Sequence, residues 1–132
     1  MTDEPRPELL RYTKSHEWIL VAGDEVTVGI TDHAQRELTD IVFVDLPKPG
    51  KRLAAGEVAL VLESVKTVAD VYTPFNGEVV AVNEGLRAHP ELVNRAPYGA
   101  GWLFRLRRSG AAESDSTMSA TEYAALTSKG SH

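Results

Sequence analysis

The stretch GEVALVLESVKTVADVYTPFNGEVVAV, residues 56–82, contains two copies of one short pattern on either side of a single lysine. Gly-Glu-Val begins at Gly56 and again at Gly77, and each copy leads into apolar, β-prone residues. Between the copies, two such runs are separated by Ser-Val-Lys-Thr (64–67), which predicts a β-hairpin with a four-residue tip. Lys66 therefore lies near the centre of an internally symmetric β structure.

The rest of the chain adds a second hairpin, further strands and two helices to this centre. Residues 18–30 predict a hairpin that turns at Gly23-Asp24, because apolar residues alternate with polar or small ones after the turn. The other predicted elements are a short helix capped by Thr31 and Asp32, a strand over 41–46, a strand with Trp102, Phe104 and Leu106 on one face, and a C-terminal helix. Between Val82 and Pro97 we expect irregular structure.

The C-terminal helix, over about 119–127, has a well-marked start. Ser119 and Glu122 form a capping box, and Met118 and Tyr123 occupy the hydrophobic staple positions around it. We expect Tyr123 and Leu126 to pack against the β structure.

Length and composition indicate one globular domain. The chain has 132 residues, which we divide into a core over 12–107, a polar linker over 108–117 and the C-terminal helix. A net charge of −5 without a dense basic run argues against nucleic acid as a partner. The sequence lacks cysteine, a long apolar segment and a signal-like start, so we expect a cytoplasmic protein that does not enter membranes.

Catalytic and metal-binding patterns fail when they are tested residue by residue. His16-Glu17 begins like the zinc-protease motif HExxH, but Leu20 occupies the position of the second histidine. Lys66-Thr67 resembles the end of a phosphate-binding loop, yet no glycines precede it. The histidines are scattered without metal-ligand spacing, and no nucleophile–base pair stands out. The chain is better suited to carry or bind a group than to catalyse, and we expect no metal site.

Residue chemistry leaves two interpretations of Lys66 open. It is either an ordinary solvated turn lysine or a covalent attachment point, since a deprotonated amine is a nucleophile. A hairpin tip would expose the amine to a modifying enzyme and let an attached cofactor swing out from a rigid anchor.

Four ordered stretches resemble one known family, the H protein of the glycine cleavage system. They are SHEW (15–18), ITDHAQ with LTDIVFVDLP (within 30–47), ESVKTVADVY with Pro74 and Gly77, and LVNRAPYGAGW (92–102). The resemblance covers nearly the whole chain. It implies a mainly β fold, a flattened pseudo-symmetric β-sandwich of the barrel-sandwich hybrid type found in lipoyl and biotinyl domains, with short helices. It also implies a non-enzymatic carrier.

The resemblance further implies a cofactor and a set of partners. The motif ESVK places (R)-lipoate in amide linkage on Lys66, with Glu63, Val65 and Thr67 as the flanking attachment motif. The lipoyl arm would carry an aminomethyl group from the pyridoxal-phosphate glycine decarboxylase to the tetrahydrofolate-dependent aminomethyltransferase, and electrons to dihydrolipoamide dehydrogenase. A lipoate-attaching enzyme would be a fourth partner.

The family also shelters its loaded arm in a surface cleft. By position, Ser15, Glu17 and Asp70 are the candidates for holding the cationic amine at the end of that arm, because carboxylates give such an amine charge-assisted hydrogen bonds. The sequence departs from the family pattern at Ala69 and Asn76, where serine is common, and at Thr39, where glycine is common.

The sequence leaves other functions open. Biotin carriers usually flank their lysine with methionines, and acyltransferase lipoyl domains have an Asp-Lys-Ala tip, so both fit the sequence less well. An H-like protein that donates lipoate to other complexes is a rival within the family. A cofactor-free β-sandwich interaction module is a rival from another class.

Overall fold

A computed structural model describes residues 9–109 and 117–130. The strands are β1 (Arg11–Thr13), β2 (Glu17–Ala22), β3 (Glu25–Ile30), β4 (Ile41–Asp45), β5 (Arg52–Leu53), β6 (Val58–Ser64), β7 (Val68–Tyr72), β8 (Gly77–Val82), β9 (Phe104–Arg108) and β10 (Thr117–Met118). The helices are α1 (Asp32–Leu38), α2 (Gly85–Ala88), α3 (Leu92–Arg95) and α4 (Ala120–Gly130).

The strands form two antiparallel sheets that share one hydrophobic core. The larger sheet has the order β10-β1-β2-β3-β9-β8-β5, and the smaller sheet has the order β4-β6-β7. Apolar side chains from both sheets meet in the core, among them Val28 and Phe104 from the larger sheet and Leu62 and Val71 from the smaller one. This arrangement confirms the predicted β-sandwich with short helices.

The two glycines of the internal repeat serve different physical purposes. Gly56 has φ = 87° and lies in the turn before β6, a backbone conformation that favours glycine. Gly77 begins β8 in ordinary extended backbone, but a Cβ atom there would lie 2.3 Å from the carbonyl oxygen of Arg107. Each copy opens a strand as predicted, one by permitting a turn and the other by permitting close strand contact.

Both predicted hairpins form. The first turns at Gly23, whose φ is 64°, between β2 and β3. The second joins β6 and β7, but its tip is shorter than expected because Ser64 still belongs to β6. The backbone N–H of Ser64 donates to the carbonyl of Thr67 at 2.8 Å, which closes the turn around Val65 and Lys66.

Three further details differ from the sequence-based expectations. The segment expected to be irregular contains the short helices α2 and α3. Trp102 precedes β9 and is only half-buried, with the Arg105 guanidinium 4.5 Å from its ring centroid. Leu126 remains 37% exposed, because α4 packs on the body chiefly through Tyr123.

The start of α4 agrees with its predicted capping box. The Ser119 backbone N–H donates to the Glu122 carboxylate at 2.8 Å, and the Glu122 N–H donates to the Ser119 hydroxyl at 3.2 Å. Tyr123 stacks on Tyr12 with ring centroids 4.8 Å apart and joins a second apolar cluster around Trp18. Of the predicted linker, Arg108 lies in β9 and Thr117 in β10, while its middle, like the first eight and last two residues, lies outside the described residues.

Thr39, which follows α1, occupies a backbone conformation suited to glycine. Its φ is 64° and its ψ is −152°, a region in which a β-branched residue is strained by about 1–3 kcal/mol. We expect Thr39→Gly to raise the free energy of unfolding by about 1 kcal/mol, after allowing for the greater backbone entropy of glycine in the unfolded chain.

Thr39→Ala is the matched control for that variant. It loses the same hydroxyl, which donates to the Leu38 carbonyl, but keeps the Cβ atom that causes the strain. Chemical denaturation should therefore show a gain for glycine and none for alanine. Equal midpoints for the two variants would contradict the assignment of strain to this residue.

Candidate functional site

Lys66 lies at the tip of the β6–β7 hairpin, where side-chain hydrogen bonds order the turn. The Ser64 hydroxyl accepts from the backbone N–H groups of Lys66 at 3.1 Å and Thr67 at 2.9 Å. The same hydroxyl donates to the Thr67 carbonyl at 3.1 Å. These bonds fix the Lys66 backbone, while its flexible side chain extends from the exposed tip.

The tip is also fastened to the segment that follows α1. The Val65 backbone N–H donates to the Asp40 carbonyl at 3.0 Å. The Lys66 ammonium donates to the Glu37 carbonyl at 3.1 Å, in the last turn of α1, where the helix dipole favours a cation. The amine is thereby directed to the carboxyl end of α1.

Asn94 of α3 holds this segment in place. Its side-chain amide donates to the Thr39 carbonyl at 2.8 Å and to the Gln35 side chain at 3.0 Å, and its carbonyl oxygen accepts from the Ile41 N–H at 2.9 Å. Asn94 therefore holds the backbone on both sides of Asp40, whose carbonyl accepts from the Val65 N–H. The sequence contained this asparagine in the LVNRAPYGAGW motif, but gave no indication of its long-range partners.

A groove of about 230 Å³ runs between α1 and the edge strand β7. Its apolar lining residues are Ile30, Ala34, Leu38, Leu62, Ala69 and Val71, and its polar ones are Ser15, His16, Glu17, His33, Glu37 and Asp70. The three residues predicted to form the arm cleft thus line one groove. Glu37, whose carbonyl accepts from Lys66, lines it too, which places the lysine amine beside that groove.

Glu17 is buried beside the groove, with 1% of its surface exposed. One carboxylate oxygen accepts from the hydroxyls of Thr13 at 2.5 Å and Ser15 at 2.6 Å, and the other accepts from the Tyr72 backbone N–H at 3.0 Å. Since a carboxylate offers about four acceptor positions, these three donors leave one. Glu17 thus connects β7 of the smaller sheet to the start of β2.

The other predicted site residues lie on the exposed side of the hairpin. Asp70 is exposed on β7, where its backbone pairs with Val61, and Glu63 is exposed on β6 opposite Val68. Val65 is 69% exposed, and Thr67 is exposed as well. The attachment-motif residues thus surround Lys66, whereas Ser15 and Glu17 lie just before and at the start of β2, where Glu17 accepts from the Tyr72 N–H of β7.

His16, one of the groove's lining residues, contacts Tyr123, and the sequence did not reveal this contact. The Tyr123 hydroxyl lies 2.7 Å from His16 Nδ1 and 2.7 Å from the Thr31 hydroxyl. Burial raises the pKa of Tyr123 to about 12, so this hydroxyl keeps its proton. Burial and the neighbouring His33 ring lower the pKa of His16, which favours its neutral form.

No cluster of three or more metal-ligating side chains occurs in the part of the chain that the structure describes. Within those same ranges, no helix has the length and apolarity needed to cross a membrane. What the described residues do provide is a lysine on a hydrogen-bonded hairpin tip, next to a groove with a largely apolar lining and carboxylates. This combination suits a carrier domain.

The family follows from comparison with known proteins. The family model described as Glycine cleavage H-protein matches residues 10–130. The chain is 53% identical to the glycine cleavage system H protein of Halothermothrix orenii, covering 89% of this chain and 92% of that protein. It is 55% identical to the H protein of Neisseria meningitidis serogroup B, covering 89% and 93%.

A solved structure agrees with the sequence comparisons. The crystal structure of a glycine cleavage system H protein from Mycobacterium marinum superimposes with a TM-score of 0.85 at 39% identity, covering 93% of this chain and 99% of that one. The chain belongs to the glycine cleavage H-protein family, whose members are carriers and not catalysts.

The role of Asn94 can be tested through the amide proton of Val65. Asn94→Ala removes the bonds that bracket Asp40, so we expect the Val65 N–H to exchange with solvent at least about tenfold faster, as local opening becomes easier. The variant should also lose about 1–3 kcal/mol of folding free energy, because the Ile41 N–H loses its partner. Hydrogen exchange followed by NMR gives the first quantity and chemical denaturation the second.

Asn83→Ala is the matched control, since the Asn83 side chain likewise donates two hydrogen bonds, in its case to the backbone carbonyls of Ala100 and Trp102. The two variants are compared under conditions in which they have equal free energies of unfolding. There, the Val65 amide of Asn83→Ala should exchange with solvent at close to the wild-type rate. Equal acceleration in both variants would show that Asn94 acts only through global stability.

Proposed function

We propose that this chain carries (R)-lipoate in amide linkage to the side-chain nitrogen of Lys66. Membership of the H-protein family makes it a carrier component of the glycine cleavage system. The observation that supports Lys66 as the attachment point is its place on an ordered tip beside a groove that contains Ser15 and Glu17. We also propose that the whole chain acts as one lipoyl-carrier domain in the cytoplasm.

Attachment would change what the lysine does at the tip. The ammonium first loses a proton, and the neutral amine then attacks an activated lipoyl carbonyl. A C–N bond forms, the bond to the activating group breaks and the nitrogen loses a second proton, so that the resulting amide is uncharged. The charge-assisted bond from Lys66 to the Glu37 carbonyl then becomes, at most, an ordinary amide hydrogen bond, which is weaker. Acylation would therefore weaken the attachment of the side chain to α1 while the backbone bonds to Ser64 and Asp40 remain.

The groove suits an arm of this chemistry. Its apolar lining, including Leu38 and Leu62, fits a hydrocarbon chain, and burial of that chain is favourable. A cationic amine at the end of the arm could use the remaining acceptor position of Glu17, with Asp70 as a second carboxylate in the lining. Ser15 acts through Glu17, because its hydroxyl donates to that carboxylate.

The proposed partners follow from the chemistry that the lipoyl arm supplies, which is a dithiolane able to accept an aminomethyl group and electrons. They are the pyridoxal-phosphate glycine decarboxylase, the tetrahydrofolate-dependent aminomethyltransferase, dihydrolipoamide dehydrogenase and a lipoate-attaching enzyme. The chain itself would provide the anchor, the sheltering groove and the docking surfaces. Excluding water from the groove would slow hydrolysis of the group on the arm.

Replacement of Lys66 tests the attachment site. In a host that attaches lipoate, we expect intact mass spectrometry to show a lipoyl increment on the wild-type chain and none on Lys66→Ala. Glycine decarboxylation with the partner enzymes should fall to background in that variant. Lys48→Ala, which removes another exposed lysine, should keep both the increment and the activity. A lipoyl group on Lys66→Ala, or its absence from the wild-type chain, would refute the proposal.

Replacement of Glu17 tests the sheltering role. Glu17→Gln removes the negative charge but keeps an acceptor for the Tyr72 N–H, and the hydroxyls of Thr13 and Ser15 can rotate to accept from the new amide. We expect the loaded aminomethyl group to be lost about tenfold faster, as one charge-assisted hydrogen bond is weakened.

The decay is measured as formaldehyde or ammonia release from the isolated loaded protein. Glu84→Gln is the control, because Glu84 forms an exposed ion pair with Arg87 and does not line the groove. A Glu17→Gln protein that folds normally and decays at the wild-type rate would rule out this role.

A further inference from the structure

Exposed apolar side chains are concentrated on the smaller sheet and its tip. Nine large apolar side chains among the described residues are more than a third exposed, and six of them belong to β4, β6, β7 or the tip. Those six are Val42, Phe43, Val58, Val65, Val68 and Tyr72. An exposed apolar side chain alone is common, but a group of them on one face marks an interaction surface.

The four most exposed members of that group lie next to Lys66. Val42, Phe43, Val65 and Val68 are 52%, 50%, 69% and 62% exposed, and we call them the tip patch. Phe43 and Val68 both pair with Glu63, so they lie in one row across the three strands. Val65 directly precedes the lysine, and its N–H is bonded to Asp40, two residues before Val42.

The strands that carry the tip patch contain acidic side chains. Strands β4, β6 and β7 contain Asp45, Glu63 and Asp70 and no lysine or arginine. Asp45 and Asp70 both pair with Val61, which places them in the row next to that of Phe43 and Val68. The patch is therefore an apolar surface bordered by carboxylates on these three strands, with Lys66 beside Val65 and with Lys48 and Lys51 lining a pocket together with Asp45.

We propose that the tip patch is the docking surface for the enzyme that acylates Lys66, and that this partner meets it with apolar side chains bordered by lysine and arginine. The inference rests on the proposed function. We expect basic residues at the rim of the partner's surface, since opposite charges steer association and like charges oppose it. Phe43 is the aromatic member of the patch and so the best candidate for a central anchor.

The position of the patch identifies which partner it serves. An enzyme that acylates the lysine nitrogen must bring its active site to the hairpin tip itself, so its surface covers the side chains beside Lys66. Enzymes that act on the far end of a completed arm can reach it without covering the tip. The tip patch is therefore assigned to the attaching enzyme.

Matched valine substitutions test this assignment. The unlipoylated chain is incubated with the purified lipoate-attaching enzyme, lipoate and ATP, and initial rates of lipoyl incorporation are measured by mass spectrometry. We expect Val68→Ser and Phe43→Ala each to lower kcat/KM by at least about fivefold, as is typical of an interface anchor. Val21→Ser is the control, because Val21 is also an exposed strand valine, 43% exposed, but lies on β2 of the other sheet. The attaching enzyme should acylate this control variant at the wild-type rate.

Charge reversal tests the predicted rim. Asp45→Lys should lower kcat/KM by at least about fivefold at low salt, and added salt should narrow the difference from wild type, because exposed charges are screened. Asp24→Lys changes the net charge equally at the exposed β2–β3 turn and should have little effect. Equal effects of the two reversals would overturn the charge complementarity.

Failure of this inference can be distinguished from failure of the proposed function. If the wild-type chain gains no lipoyl group, the proposed function fails. If the wild-type chain is acylated and Val68→Ser matches Val21→Ser, the docking surface alone fails. A completed Val68→Ser carrier should be reoxidised by dihydrolipoamide dehydrogenase at the wild-type rate, and a loss there as large as the loss in acylation would overturn the assignment to the attaching enzyme.

Discussion

The site depends on the position of α1, a seven-residue helix that has no fully buried side chain of its own. A helix this short is not stable alone in water, so its place must come from contacts with other segments. At its start, the Thr31 hydroxyl contacts the Tyr123 hydroxyl and the Asp32 N–H donates to the Tyr98 hydroxyl. At its end, Asn94 holds the residues that follow it. Because α1 forms one wall of the groove and its last turn receives the lysine amine, these distant residues, together with the packing of Ala34 and Leu38 on the core, determine the geometry of both.

The opposite wall depends on a buried charge. Burying a carboxylate is unfavourable unless donors surround it, and Glu17 has three from Thr13, Ser15 and Tyr72. The Tyr72 donor is a backbone group of β7, so satisfying the charge also fixes the edge of the smaller sheet next to the groove. A residue that is suited to hold an amine is thus also part of the connection between the two sheets.

The sequence predicted the elements well where residue patterns are local. Alternation around Gly23 predicted the first hairpin, and the capping-box residues Ser119 and Glu122 predicted the start of α4. Prolines in the segment after β8 favoured irregular structure there, although α2 and α3 form, because a helix of four residues leaves almost no periodic signal. In the sequence, Trp102 continues the apolar alternation of Phe104 and Leu106 in β9. In the structure, its side chain packs against the second apolar cluster.

The candidate site was less accessible to sequence reasoning than the fold. Residue chemistry alone left Lys66 as either a turn lysine or an anchor, and only family resemblance selected Ser15, Glu17 and Asp70. The burial of Glu17 could not be foreseen, since its three donors include a backbone N–H that is 55 residues away in the chain. The contact between His16 and Tyr123 spans 107 residues. Such contacts are products of the tertiary fold, and no local pattern encodes them.

At the hairpin tip, the backbone of Lys66 is rigid and its side chain is flexible. Its backbone is fixed by Ser64 and by the Asp40 carbonyl, whereas the hydrogen bond from the lysine side chain to the Glu37 carbonyl depends for its strength on a positive charge. The proposed acylation of Lys66 would abolish that charge and leave the backbone bonds unchanged, so the anchor would stay ordered when the arm becomes free. A carrier needs both properties, because the anchor must present the arm in a defined place while the arm must reach active sites on several enzymes. In this chain the groups that would hold the anchor are neutral backbone and hydroxyl groups, which the chemistry of attachment would not alter.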